Sequence, residues 1–248
     1  MTLRTTRVLS AFVVIASAPA FAQGQRPLSY GAEIAFRSGH ADRGFLINDR
    51  PVIQPVTWLS ASGTDFSVWS SLPVAQTSDG SRPGILEIEV AHRREWGPVT
   101  IGPSVRTYFY RDPLSPFSTR SIEGWLYLAY DAGPFRLFTN HSLDVLTYKG
   151  AYSVDAGLEA AGHVSALVEM SGSVSVGFGS AAFNEAWVGV ARTALDRFGA
   201  TASLTAHLDQ HLYIGPHIEF STILDRRVRT AAWRPTYVLF GLTVGGEF

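Results

Sequence analysis

The chain has 248 residues, with 20 Lys and Arg against 21 Asp and Glu, a formal net charge of −1 and no cysteine. Near-neutral charge removes the electrostatic footprint of a nucleic-acid binder, and the missing cysteines exclude disulfides, thiolate metal centres, cysteine nucleophiles and a lipidated N-terminal cysteine. Charged residues at 17% and hydrophobic residues at 46% describe a folded chain with apolar mass for one large domain.

Residues 1–22 read as a secretory signal peptide. Arg4 and Arg7 form its basic start, Phe12, Val13, Val14 and Ile15 lie in its apolar stretch, and Ala20-Phe21-Ala22 is the small-residue pattern before cleavage. The stretch is shorter than the ~20 residues a spanning helix needs. The expectation is export, cleavage after Ala22 and a mature domain over residues 23–248. Since no second long apolar run follows, that domain is either soluble or crosses a membrane without helices.

From residue 28 onward, stretches of roughly ten residues alternate apolar with small or polar side chains, between clusters of Gly, Pro, Asp and Asn. Val99, Ile101, Pro103, Val105 and Phe109 oppose Thr100, Ser104, Arg106 and Tyr108. Ser173-Val174-Ser175-Val176-Gly177-Phe178 repeats the pattern, and Leu212, Ile214, Pro216, Ile218 and Phe220 oppose Tyr213, Gly215, His217 and Glu219. A period of two predicts an all-β protein. Short turns at Ser62-Gly63-Thr64, Trp96-Gly97-Pro98, Asp131-Ala132-Gly133-Pro134, Ala161-Gly162-His163 and Asp209-Gln210 alternate with long connections at 38–50, 73–83, 111–120, 143–150, 180–199 and 224–235. These five turns and six loops join twelve strands; residues 186–192 alternate weakly and either extend a strand or form a short helix, and a further hairpin within 180–199 raises the count to fourteen.

Strands of this length cross a bilayer when tilted, and their polar face is Ser, Gly, Thr and Arg, with Lys149 the only lysine. Both features favour an antiparallel up-and-down transmembrane β-barrel over a soluble sandwich. Twelve strands ~4.8 Å apart give a backbone radius near 12 Å, which allows a slim pore or a filled lumen. On the last strand Val238, Phe240, Leu242, Val244 and the terminal Phe248 share one face, interrupted only by Gly246. This resembles the signal by which outer-membrane insertion machinery recognises its clients, and the strand must pair with residues 28–37 to leave no edge in lipid. Tyr30, Phe36, Tyr108, Phe109, Tyr110, Trp125, Tyr127, Trp233 and Tyr237 are expected as interfacial girdles.

The non-lipid faces assign Glu33, Glu87, Glu89, Glu123, Asp155, Glu159, Glu169, Glu219 and Glu247 to the interior, with Arg37, Arg93, Arg106 and Arg136 and the titratable His207 and His217. As pore lining this net-negative set predicts a narrow channel for cations or polar neutral solutes; as structural ion pairs it predicts a plugged barrel. Both readings stay open. Arg226, Arg227, Arg229 and Arg234 form a basic cluster on an outer loop that meets lipopolysaccharide phosphates, folds inward over the mouth, or is simply solvated. No G-x-S-x-G, H-E-x-x-H, P-loop or dinucleotide motif occurs. In Asn140-His141-Ser142 the adjacent His and Ser point to opposite faces of a strand, so they form no nucleophile–base pair with each other. No enzyme activity, cofactor or metal site is expected, and His207, His211 and His217 read as ordinary histidines of one hairpin.

Phe36-Arg37, Asp42-Arg43-Gly44-Phe45, Asn48-Asp49-Arg50-Pro51-Val52-Ile53-Gln54-Pro55, Gly63, Phe66 and Val68-Trp69-Ser70 resemble the TorF-like porins, a group of Gram-negative outer-membrane barrels. Glu87, Glu89 and Tyr108-Phe109-Tyr110 continue the similarity over residues 30–110, as a divergent member with Ala41-Asp42 where the family more often has a Tyr. The resemblance implies an outer-membrane porin-like barrel and supplies no substrate or catalytic residue. Within it, the first long loop is expected to fold into the mouth as a constriction: Gly44 permits the turn, Arg43 pairs with lumen carboxylates and Asp49 lies in the same segment. The expected partners are outer-membrane lipid and lipopolysaccharide, the insertion machinery during biogenesis, and small solutes diffusing passively. A non-conducting structural barrel and, less favoured, a lipid-modifying enzyme are the alternatives.

Overall fold

The computed structural model describes residues 28–76, 84–111 and 120–248. The segment read as a signal peptide lies outside the described residues, as do parts of the second and third long connections.

Twelve antiparallel strands form one closed wall. The first half comprises β1 (Ser29–Arg37), β4 (Val52–Ala61), β5 (Thr64–Pro73), β6 (Gly84–His92), β8 (Val99–Arg111) and β9 (Arg120–Ala132). The second half comprises β10 (Phe135–Asp144), β11 (Tyr152–His163), β12 (Val168–Gly179), β13 (Ala194–His207), β14 (Leu212–Ile223) and β15 (Thr236–Glu247). Within the first long loop β2 (His40–Asp42) and β3 (Phe45–Asn48) make a separate hairpin, and β7 (Arg94–Trp96) is a short strand paired to β8. β15 returns to β1 with Gly31 facing Glu247 and Arg37 facing Gly241. Tyr30 and Phe248 exchange backbone hydrogen bonds of 3.1 and 2.9 Å at that seam. Closure satisfies the edge amides that hydrocarbon would leave unpaired.

Alternation sorts the side chains as expected, but inside out relative to a soluble protein. Ile34, Phe36, Leu59, Phe66, Val105, Leu137, Val174, Phe240 and Leu242 are exposed, while Arg37, Glu87, Arg106, Glu123, Arg136, Glu159 and Glu219 are buried. A soluble monomer does not carry so continuous an apolar surface; in lipid that surface is the solvated one. The final-strand face of Val238, Phe240, Leu242, Val244 and Phe248 is part of it.

The short turns lie at one end, together with both ends of the wall. Ser62 (φ 51°) and Gly63 (φ 78°) form a two-residue loop with both residues at positive φ, the hairpin turn that matches strand twist. The turn expected at Ala161-Gly162-His163 is instead strand, with Gly162 facing Met170. The chain reverses at residues 164–167, where the Ser165 hydroxyl accepts from the Leu167 amide at 3.3 Å.

Segment 180–199 contains α1 (Ala181–Val188), not another hairpin, so the strand count is twelve and not fourteen. Ser180 caps its start by accepting from the Phe183 amide, and Gly189 ends it at φ 72°. A second helix, α2 (Arg226–Ala231), follows β14 and is capped by Asp225. Part of the expected girdle is also corrected. Tyr30, Phe36, Phe109 and Trp233 are exposed, but Tyr108, Trp125, Tyr127 and Tyr237 are buried, and Tyr110 stacks on Tyr108 at 6.2 Å. Parity with Arg106 and Glu123 puts Tyr108, Tyr110, Trp125 and Tyr127 on the lumen side, where Trp125 and Tyr127 lie under guanidinium groups, and Tyr237 turns inward to donate to Glu219.

Candidate functional site

The long-loop end of the barrel is filled by the chain's own first loop. Arg43 (φ 46°) and Gly44 (φ 82°) form the two-residue tip of the β2–β3 hairpin. A Cβ at Gly44 would lie 2.5 Å from Arg197 Cδ, so both the turn and the close approach require glycine here. The tip carries Arg43 inward, where it is 6% exposed. Its guanidinium donates to both Glu123 oxygens at 3.1 Å, to Asp42 at 3.1 Å and to the Ser142 hydroxyl at 3.1 Å. Its Cζ lies 5.6, 5.2 and 5.0 Å from the ring centres of Trp125, Phe183 and Trp187. Arg43 is thus paired with a carboxylate of the barrel wall.

Next to the tip, Phe45 stacks on Trp187 at 5.7 Å and joins Phe183, Ala151, Ile223 and Val228 in an apolar cluster. That cluster draws on the hairpin, the loop before β11, α1 and α2, so four connections close over the mouth. His40 accepts from the Gln54 amide at 3.0 Å, and Gln54 also donates to Ser71 at 3.3 Å. Burial holds the His40 imidazole down to about 4, with Asp42 opposing and Arg37 adding to the effect, so it is neutral at ordinary pH. Asp49 receives Arg234 at 3.1 Å, which ties the hairpin loop to the segment after α2. The basic loop does not act as one patch: Arg229 bonds the Thr222 hydroxyl and the Ile223 carbonyl, while Arg226 and Arg227 face outward.

The wall residues expected in the lumen fall into separate networks. Arg106 pairs with Glu89 at 2.9 Å, reaches Glu87 at 3.8 Å and stacks on Trp125 at 3.9 Å, and the Trp125 indole donates to Glu123 at 2.9 Å. Nearer the short-turn end, Arg136 pairs with Asp131 at 2.6 Å and lies 3.9 Å from Glu159, and Arg93 covers the Tyr127 ring at 5.5 Å. Arg37 pairs with Glu219 at 2.5 Å, and Glu33 accepts from the Tyr213 hydroxyl at 2.7 Å. Glu169 lies between His163 at 3.4 Å and His207 at 3.9 Å. Across the hairpin, His207 faces Tyr213 and His217 faces Ser203, so the two histidines do not face each other.

Arg197 and Asp196 are inward residues that sequence reasoning missed. Arg197 donates to Asp155 at 2.7 Å and to Asp196 at 3.0 Å. Gly177 faces Arg197 while Phe178 faces Leu195, so Asp196 is an extra residue in β13 and two consecutive side chains point inward. The one local signal was the broken alternation at Leu195-Asp196-Arg197-Phe198.

A recurring device keeps large inward side chains against the wall. Trp58 faces Gly31, Phe138 faces Gly157, His217 faces Gly241 and Tyr213 faces Gly245 across adjacent strands. In each pair a Cβ on the glycine would lie within 2.6 Å of its partner's ring. Each ring thus lies flat over a glycine rather than across the lumen. Between β12 and β13 the wall is lined by small hydroxyls, with Ser171 to Ser203 at 2.7 Å and Ser173 to Thr201 at 2.8 Å. There a cavity of about 60 Å³, bounded by Arg43, Asp155, Ser173, Arg197, Thr201 and Ser221, remains beneath the hairpin tip.

Solved structures share this architecture. The chain superposes on an outer-membrane channel from Pseudomonas putida F1 with a TM-score of 0.54 and 7% identity, over 89% of this chain and 95% of that one. It superposes on the translocator domain of the autotransporter NalP from Neisseria meningitidis with a TM-score of 0.51 and 9% identity, over 91% and 89%. The NanC porin gives 0.50 and 13% identity, over 88% and 98%. These likenesses establish the fold of outer-membrane barrels. The sequence matches no family model and no curated protein.

Proposed function

From an outer-membrane barrel fold with an apolar exterior, we propose a porin-like channel of a Gram-negative outer membrane through which small polar solutes or ions diffuse passively. The observation that carries this reading is the small-residue face from β11 to β15, where the Tyr213 and His217 rings lie flat over glycines and a cavity beside Ser173, Thr201 and Ser221 persists under the hairpin. The first long loop is the constriction, with Arg43 at its tip and Asp49 held by Arg234. The exposed Arg226 and Arg227 suit lipopolysaccharide phosphates, and the strand ending in Phe248 suits the insertion machinery. The TorF-like resemblance over residues 30–110 agrees with this reading and rests on the residues that carry it.

One set of contacts favours a non-conducting barrel instead. Glu87, Arg106, Trp125, Glu123 and Arg43 form a buried chain of contacts beneath the hairpin. Planar-bilayer recording of the folded protein decides between the two. Discrete open-channel steps are expected, larger for Arg43→Ala than for the native protein. Folded protein that gives no steps in any salt is a non-conducting barrel. An Arg43→Ala protein with native conductance and native thermal stability removes the constriction role from the loop.

A further inference from the structure

We propose that the pocket filled by the Arg43 side chain is a binding site for organic cations bearing a guanidinium or primary ammonium group, with Arg43 as its built-in occupant. This rests on the channel reading and names the solute class selected at its mouth.

The pocket has the chemistry of a cation receptor. Three aromatic rings lie within 5.6 Å of the Arg43 Cζ, and cation–π attraction strengthens in such a desolvated setting. Glu123 offers both carboxylate oxygens in the fork that a guanidinium matches, and Ser142 accepts a further hydrogen bond. Glu123, Trp125 and Ser142 stand on wall strands, while Phe183 and Trp187 stand on α1. Only Asp42 travels with the hairpin, so these five side chains remain when the Arg43 side chain is absent or turned aside.

Charge points to the same ligand class. Without Arg43, Glu123 keeps only the Trp125 indole among its described hydrogen bonds, and the nearest cation, Arg106, is paired with Glu89. At 3% exposure a carboxylate that has lost its paired cation is costly, and a cation relieves it where an anion or a sugar does not. The hairpin itself keeps a separate anchor in Phe45, packed with Phe183, Ala151, Ile223 and Val228. Removing the Arg43 side chain therefore empties the pocket without undocking the loop.

The test is tryptophan fluorescence of the full-length folded protein in detergent, titrated with L-arginine, with L-glutamate and glucose as controls. Arg43→Ala is expected to bind L-arginine saturably and at least about tenfold more tightly than the native protein. Adding Glu123→Gln is expected to abolish that gain, and neither control ligand is expected to bind. Folded Arg43→Ala without the tenfold gain overturns the proposal, as does a gain shared equally by glutamate or glucose. Should Arg43→Ala not fold, Arg43→Gln, whose shorter uncharged side chain leaves the guanidinium space empty, takes its place under the same criteria. Failure of both to fold also overturns it, because a pocket that exists only around Arg43 is a structural ion pair. Conductance is not read in this titration. Arginine binding by a non-conducting barrel defeats the channel reading alone, and a conducting barrel without the gain defeats this proposal alone.

Discussion

The lumen has two unlike faces. From β5 to β10 the wall carries Trp69, Glu87, Arg106, Tyr108, Glu123, Trp125 and Phe138, of which Glu87, Arg106, Trp125 and Glu123 are linked in a chain to the hairpin tip. From β11 to β15 it carries mainly Gly, Ser and Thr, with its larger side chains laid over glycines or held in pairs such as Arg197 with Asp155. Both faces come from the same period-two strands. Inward volume and charge separate them: one face supports a plug, while the other leaves room beside it.

The sharpest break in that contrast is expected from Glu123→Ala. It leaves the Trp125 indole without its acceptor and the Arg43 guanidinium with only Asp42 and Ser142, at an expected cost of about 3 kcal/mol, the low end for a buried pair that loses one partner, because Asp42 remains. Equilibrium unfolding in urea from detergent micelles measures this loss.

The plug loop is also expected to be acid-sensitive. His40 is neutral when folded, held to about 4, and the unfolded chain takes up its proton near 6.5. The unfolded state therefore binds more protons between these values, and stability falls as pH drops from about 6.5 towards 4, by up to ~3 kcal/mol. Unfolding midpoints at pH 7 and pH 5 read the slope, which His40→Gln is expected to flatten.

On the small-residue face, Gly157→Ala puts a Cβ 2.4 Å from the Val174 carbonyl and 2.6 Å from the Phe138 ring. The expected cost is about 1–3 kcal/mol, as for other overpacked sites. Gly124→Ala, where a Cβ meets nothing within 4 Å, is expected to stay within about 0.5 kcal/mol of the native protein. Equal losses at the two positions in parallel melts would remove the packing role assigned to the glycines. The smallest stability effect belongs to Thr201→Trp beside the cavity. It is expected to lower single-channel conductance about twofold with little change in melting temperature, because bulk at a narrow section limits flow.

Much of this architecture was legible in the sequence. The pleat sends alternate side chains to opposite faces, so Glu123 and Arg106 were assignable to the interior without knowing their neighbours. Arg43-Gly44 was legible as an inward tip because the pair combines a turn-permitting glycine with a charge that needs an acceptor. Arg197 was not, since an extra residue in β13 reverses the alternation there and its position depends on pairing with β12. Phe183 and Trp187 were missed for a related reason. A short helix inside a long loop reveals its own start and stop, but not which part of the molecule it covers.

What the residues determine unaided is their preference for surroundings: the apolar member of each alternating pair seeks hydrocarbon, the polar member seeks water or a partner, and a chain so patterned closes into a ring to spare its edge amides. Which charges meet was decided only by closure. Arg43 and Glu123 are 80 residues apart and Arg37 and Glu219 are 182 apart. Such pairs depend on strand register and loop path, because a buried ion pair is governed by distances of a few ångströms that no local pattern encodes.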